Sequence, residues 1–267
     1  MAIPRVHAVE LHELPGCPAL LRRIATDYLR TVGEVFRAFE PIGPLLARAV
    51  EAHPARRIVD LCSGGAGPVV TLAESLRERA GLAPEVVLTD LHPNLDAFEW
   101  AAQRARVPVS YEREPVDALS VPERLQGVRT IFDAFHHFRP DQARGLLVDA
   151  ARKRQPLLIV EATERSPKAL LGMLLFVPLL VLLLTPFVRP FSVGRLLFTY
   201  LIPLAPPLIA FDGVVSCLRS YTPAELRGLA AGLEAPDYSI EVGELAARGG
   251  TLTYLLAGAP PAPQRGT

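Results

Sequence analysis

The stretch Arg57-Ile58-Val59-Asp60-Leu61-Cys62-Ser63-Gly64-Gly65-Ala66-Gly67-Pro68 decides the fold. An apolar run ends in an acid, passes through a glycine-rich turn and enters a helix that opens on proline. Glycine has no Cβ, so the turn can bend sharply and bring backbone within contact distance of a ligand. The helix that follows points unpaired N–H groups at the same spot. Proline in the first turn of that helix costs little, because its missing N–H would be unpaired there anyway.

Three familiar templates fail on this stretch. The dinucleotide pattern G-x-G-x-x-G would put glycines at 65, 67 and 70, and position 70 is Val70. A P-loop ends in Gly-Lys-Ser or Gly-Lys-Thr, which is absent. A nucleophile elbow needs glycine two residues before its serine, and Leu61 stands there.

Downstream, apolar runs ending in acids recur. Glu85 to Asp90 reads as a second strand, with Asp90 placed 23 residues beyond Gly67. That spacing suits a carboxylate accepting ribose hydroxyls. Val107–Tyr111 reads as a third strand, followed by Asp117-Ala118. Val128–Asp133 reads as a fourth, with Phe135-His136-His137-Phe138 at its end, and Leu157–Glu161 as a fifth. Helical patterns cover roughly 69–80, 94–105 and 140–154. Tyr238–Val242 and Leu252–Leu256 read as a closing antiparallel pair. This alternation predicts an α/β fold, a doubly wound, seven-stranded, mostly parallel Rossmann-like sheet.

In this order the motifs resemble the class I S-adenosylmethionine-dependent methyltransferases, over roughly residues 55–165 and 220–258. The family's usual D-x-G-x-G-x-G would put glycines at 62, 64 and 66, and this chain has Cys62, Gly64 and Ala66. The resemblance implies S-adenosylmethionine as cofactor. It implies Asp90 on the ribose and Asp117, with the Ala118 backbone, at the adenine. Gly64, Gly65 and Gly67 would lie at the methionine end, with Asp60 acting through the loop amides or a water.

Composition bounds the partners. Lys plus Arg and Asp plus Glu are 28 each, so the net charge is zero and no basic field for nucleic acid exists. Cys17, Cys62 and Cys217 lie far apart, which argues against a disulfide framework or a cysteine zinc site. A reduced, cytoplasmic setting and no signal peptide are expected.

An insertion after the fifth strand breaks this pattern. Residues 169–188 carry no charge, a length that qualifies as a membrane-spanning candidate. A second uncharged run, 196–211, contains Pro203, Pro206 and Pro207. Both ends of the insertion must rejoin one sheet, so a single span is excluded. Prolines kink the second run. The favoured reading is a hydrophobic cap that docks on a membrane surface without crossing it, with Arg165, Lys168, Arg189 and Arg195 near the headgroups. A buried lid, a homodimer contact or a spanning hairpin are the alternatives. An apolar cap suits a hydrophobic acceptor.

The expected division is an N-terminal helical cap (1–54), the core (55–165), the insertion (166–220), the rest of the core (221–258) and a disordered tail (259–267). Within the cap, Cys17 to His53 reads as amphipathic helices in which Tyr28 and Asp27 either line the cofactor cleft or pack on the sheet. His136 and His137 are the candidate catalytic bases, since chemistry in this fold sits at the C-terminal strand ends. Glu161 is a candidate for substrate contact. Glu164 and Arg165 are expected in solvent, and Asp212 with Arg219 as a structural bridge. No metal is expected, because Asp133, His136 and His137 would diverge from a strand end. His7, His12 and His53 carry no readable role. Two other functions stay open: a nicotinamide- or other nucleotide-dependent enzyme, and a non-catalytic membrane-associated binding protein.

Overall fold

The computed structural model describes residues 3–259. Seven strands form one sheet: β1 (Arg57–Asp60), β2 (Glu85–Leu88), β3 (Val109–Tyr111), β4 (Val128–Phe132), β5 (Leu157–Glu161), β6 (Ser239–Ala247) and β7 (Gly250–Gly258). Their order is β3-β2-β1-β4-β5-β7-β6. All pairs are parallel except those of β7, which runs antiparallel to β5 and β6. The last two strands are longer than their apolar cores suggested, because their ladder runs without a break from Ser239 opposite Gly258 to Ala247 opposite Gly250. β3 starts later than predicted, since Pro108 has no N–H to donate and only its carbonyl pairs, with the Val86 amide. Of the expected tail, 260–267 lies outside the described residues, as do 1–2.

Successive strand residues face opposite sides, so two apolar layers form. Ile58, Val86, Leu88, Val128 and Leu158 pack under α2 (Gly43–Ala52), α3 (Val69–Ala80) and α4 (Leu95–Arg104). Val59, Val87, Ile131, Leu157 and Ile159 pack under α5 (Pro140–Arg152) and a later helix, Pro223–Ala230. Strands buried on both faces read as continuous apolar runs, and that made them legible.

A third, smaller core joins the N-terminal helix α1 (Ala19–Phe36) to the insertion. The insertion holds α6 (Pro167–Leu184), a short α7 (Val193–Leu196), a π turn at Leu197–Leu201 and α8 (Ala205–Arg219). The break before α8 bends the chain by 87°, as the prolines predicted. Ile24, Ala25 and Tyr28 of α1 cluster with Val181, Ala205 and Ile209. Tyr28 therefore packs on the insertion, as one of its two sequence readings had it packing, though on helices and not on the sheet.

Two of the four cations expected near headgroups are not there. Arg195 is buried against Asp27 of α1, and Arg165 is paired with Glu225, so neither is free to meet a lipid. Lys168 and Arg189 are exposed.

Candidate active site

The parallel register sets the ends of β1, β2 and β4 side by side, with Asp60 next to Leu88 and Thr130. The glycine turn leaves β1 at this edge. Cys62, Gly64 and Ala66 take φ values of 59°, 54° and 77°. These are the three positions where the sequence comparison placed glycines, and two of them carry a side chain here. A left-handed non-glycine residue costs on the order of 1–3 kcal/mol, held in place by its surroundings. Ser63 supplies part of that hold: its Oγ donates to the Asp60 carbonyl at 3.0 Å and its amide to the Thr89 carbonyl at 2.9 Å.

Asp90 clamps the turn. One carboxylate oxygen accepts the Gly64 amide at 2.8 Å and the other accepts the His92 amide at 2.7 Å. The Val116 amide donates to the Asp90 carbonyl at 2.8 Å, which brings the β3 loop alongside. There Asp117, exposed, accepts from the Leu119 amide at 2.9 Å, with Ala118 buried beside it. Burial, together with Asp90, Asp60 and Asp117, pushes the Cys62 thiol well above its ordinary range, so all three acids converge on the turn. Asp60 lies beneath, 2% exposed, accepting from Thr130 Oγ1 at 2.5 Å. Burial pushes its carboxyl up to about 7.

α1 lies across the top of this turn. A Cβ on Gly65 would meet the Thr26 carbonyl oxygen at 2.6 Å and its carbon at 2.9 Å. Next in α1, Asp27 accepts from Asn94 Nδ2 at 3.0 Å and from Arg195. One acid thus ties α1 to the helix that follows Asp90 and to the insertion. Two surface depressions lie elsewhere, one lined by Arg48, Pro156 and Glu241 and the other by Arg37, Pro41 and Arg79.

The ends of β4 and β5 carry a buried ionic cluster. His136 Nδ1 lies 2.6 Å from Glu161, and the His136 amide donates to the same carboxylate at 3.1 Å. His136 and His137 stack with ring centroids 4.4 Å apart, so they do not diverge as the strand-end argument expected. The short helical turn Phe135–His137 brings them onto one side. Asp133 accepts the Ala162 amide at 2.5 Å. Glu161 is fully buried and holds His136, and it has no surface for direct substrate contact.

The remaining partners come from segments where no role was legible. Residues 3–14 run along the C-terminal strand ends, with the Val6 amide on the Leu218 carbonyl at 3.0 Å. They deliver Glu10, 3.4 Å from His136 Nε2, and Glu13, 2.5 Å from His137 Nδ1. They also deliver His12, 2.9 Å from Asp212. Arg219, at the end of α8, binds Glu13 through both terminal nitrogens at 2.6 and 2.9 Å. Asp212 and Arg219 are structural partners as expected, but of the N-terminal segment and not of each other. Arg165 was expected in solvent and is buried on Glu225. The only sequence signal for this cluster was Glu10, His12 and Glu13 falling within four residues of one another.

Burial opposes charge throughout the cluster, and specific partners decide the outcome. On His136 burial is outweighed by Glu161 and Glu10, which hold the imidazole well above its ordinary value. On His137 burial and the His136 charge act together and hold it down. Burial would raise Glu10, yet His136, His137 and His12 bring it down to about 2. Burial and Glu161 push Asp133 up to about 7.

No protein-family profile matches the chain, and no curated relative matches it. Solved structures do resemble it. A chain from Rhodobacter sphaeroides described as a putative zinc-dependent alcohol dehydrogenase is 12% identical, with 91% of this chain and 100% of that one covered and a TM-score of 0.50. Magnesium protoporphyrin IX methyltransferase from Synechocystis PCC 6803 is 13% identical, with 92% and 90% covered and a TM-score of 0.44. Human N-acetylserotonin methyltransferase is 13% identical, with 94% and 62% covered and a TM-score of 0.48. Several other matched chains are longer, and this chain spans 44 to 47% of them. At such identities the likeness speaks to fold. The seven-stranded sheet with its antiparallel last pair, and the turn and acids at its C-terminal edge, give this chain the Rossmann-like fold of the class I S-adenosylmethionine-dependent methyltransferases.

Proposed function

We propose that this chain is an S-adenosylmethionine-dependent methyltransferase whose acceptor is a hydrophobic small molecule or lipid met at a membrane surface. The observation that carries the first half is the convergence of Asp90, Asp117 and the left-handed turn at one sheet edge. When bound, the cofactor supplies an electrophilic methyl group on a sulfonium. Asp90 would accept from the ribose hydroxyls, Asp117 and the Ala118 backbone would meet the adenine, and Gly64, Gly65 and Gly67 would let backbone approach the methionine end. Of the histidine pair, His137 is the imidazole able to take an acceptor's proton near neutral pH, because His136 already holds one.

The second half rests on the insertion. Within α6 and its short continuation, Pro167–Phe187, an 18-residue stretch has a mean hydropathy of 2.5, and only 11% of it is buried. Phe176, Leu183, Phe187, Phe191, Val193 and Leu201 are between 63% and 76% exposed. An apolar surface of this extent is rarely left in water. It grows out of the C-terminal end of β5, where the crevice opens, so an apolar acceptor could pass from lipid to the site without crossing water. The 87° bend before α8 and the return of both ends to one sheet favour docking over spanning.

The tight seat of α1 on Gly65 supports a second reading, a binding scaffold without turnover. Calorimetric titration with S-adenosylmethionine and, separately, NAD separates these. Binding of the former alone, weakened by about 1–3 kcal/mol in Asp90→Ala, supports the cofactor reading. Transfer of labelled methyl to a lipid or isoprenoid extract then distinguishes enzyme from scaffold. Flotation with phospholipid vesicles, lost when Phe176, Leu179 and Leu183 all become serine, tests the surface. Binding of NAD alone, or of neither by folded protein, defeats the methyltransferase reading.

A further inference from the structure

We propose that Glu10, His136 and His137 form a site for one divalent transition-metal ion of the zinc class, at the C-terminal ends of β4 and β5. One ligand atom from each of the three lies within 4.8 Å of the others. Such ions hold imidazole nitrogen and carboxylate oxygen at about 2 Å, so small side-chain rotations close the set around an ion.

Three further observations point to a ligand. First, His136 Nε2 is buried and makes no hydrogen bond, while aimed at Glu10 Oε1 3.4 Å away. A buried ring nitrogen so loosely partnered is costly, and a metal ion between it and the Glu10 carboxylate fits there. Second, the other nitrogen of that ring is held by Glu161 at 2.6 Å. A carboxylate behind an imidazole is the usual arrangement for orienting a metal-binding histidine and raising its basicity.

Third, the buried charges do not balance. Arg219 is matched by Glu13. Arg219 also lies 3.5 Å from Glu10, yet Glu10, Glu161 and Asp212 remain as three further buried carboxylates around that one guanidinium. A dication between His136 and Glu10 would offset that excess of carboxylates. His137 and His12, with side chains 24% and 17% exposed, are the side of the cluster open to solvent and the path by which an ion would enter. Glu10, His12 and Asp212 form an overlapping set through Glu10, but there His12 Nδ1 already bonds Asp212 at 2.9 Å, so that set orients Glu10. Such an ion would take over from His137 the removal of an acceptor's proton, by lowering the pKa of an oxygen bound to it.

The test is equilibrium dialysis of the untagged full chain, first stripped with a chelator, against Co(II) and then Zn(II). The expected result is one ion per chain, visible ligand-field absorption from Co(II), and its displacement by Zn(II). Glu161→Gln keeps all three ligands and loosens only the orienting bond, so it should weaken binding about 10–100-fold. His136→Gln should abolish it, whereas Cys17→Ser and His53→Gln should leave it unchanged. No ion taken up by the folded wild-type chain, or equal uptake by the wild type and His136→Gln, overturns the site. Cofactor binding enters none of these readouts, so the metal site stands or falls apart from the methyltransferase reading.

Discussion

Arg195→Met is the most demanding test of how the insertion is tied to the turn. Arg195 donates to Asp27 and to the carbonyls of Pro190 at 2.8 Å and Val188 at 3.2 Å. Both side chains of the pair are 4% exposed. Methionine keeps most of the stem volume and removes the charge, stranding Asp27 in the core with only Asn94 to bond it. Arg30, the nearest other cation, is already bidentate to Glu34. Breaking a buried pair from one side costs about 3–5 kcal/mol, a large share of the stability of a single domain. Burial already pushes Asp27 up to about 6 against the pull of Arg195, and without that pull it rises further. A carboxyl raised on folding adds stability at low pH and loses it as pH rises through the folded value. Arg195→Met should therefore regain stability between pH 7 and pH 5 relative to wild type. Adding Asp27→Asn removes the stranded charge and keeps an acceptor for Asn94, so the double variant should recover most of the loss. Urea unfolding of the four proteins at both pH values gives the coupling energy. A coupling below about 0.5 kcal/mol, the ordinary scatter of independent sites, would refute the argument.

Gly65→Ala should destabilise the chain by about 1–3 kcal/mol, because its Cβ meets Thr26 backbone and not a side chain that can rotate away. Thermal unfolding checks this, and amide exchange should show α1 lifting; an unchanged midpoint would mean α1 is not seated on the turn. Asp60→Asn should flatten the pH dependence of stability. The Asp60 carboxyl is raised to about 7, so its contribution is present below the ordinary carboxylate range and lost as pH climbs to 7. Wild type should lose up to about 1.4 kcal/mol per pH unit relative to Asp60→Asn across that window. Parallel stability curves from pH 4 to 7 would count against a protonated Asp60.

β1, β2 and β5 were legible because each is a mostly apolar run buried on both faces, and sequence order and spacing carry that directly. The turn was legible for a related reason: backbone conformation is local, and Cys62, Gly64 and Ala66 take left-handed values at the motif's own spacing. The insertion announced itself by lacking charge over a span no ordinary surface helix would lack it. Arg195 was misread because, from sequence, a cation at the edge of an apolar run belongs in solvent or at headgroups. Only packing shows that Asp27, 168 residues earlier, waits inside to pair with it.

The ionic cluster lies at the far end of that scale. Glu10 and His136, or Glu13 and Arg219, meet across more than a hundred residues, and no period or spacing encodes such a meeting. By itself the sequence determined what depends on neighbours along the chain: strands, helices, the turn and the apolar insertion. Which charges are buried together, which imidazole keeps its proton and what covers the glycine turn were decided by tertiary structure alone, because burial and electrostatics act through space.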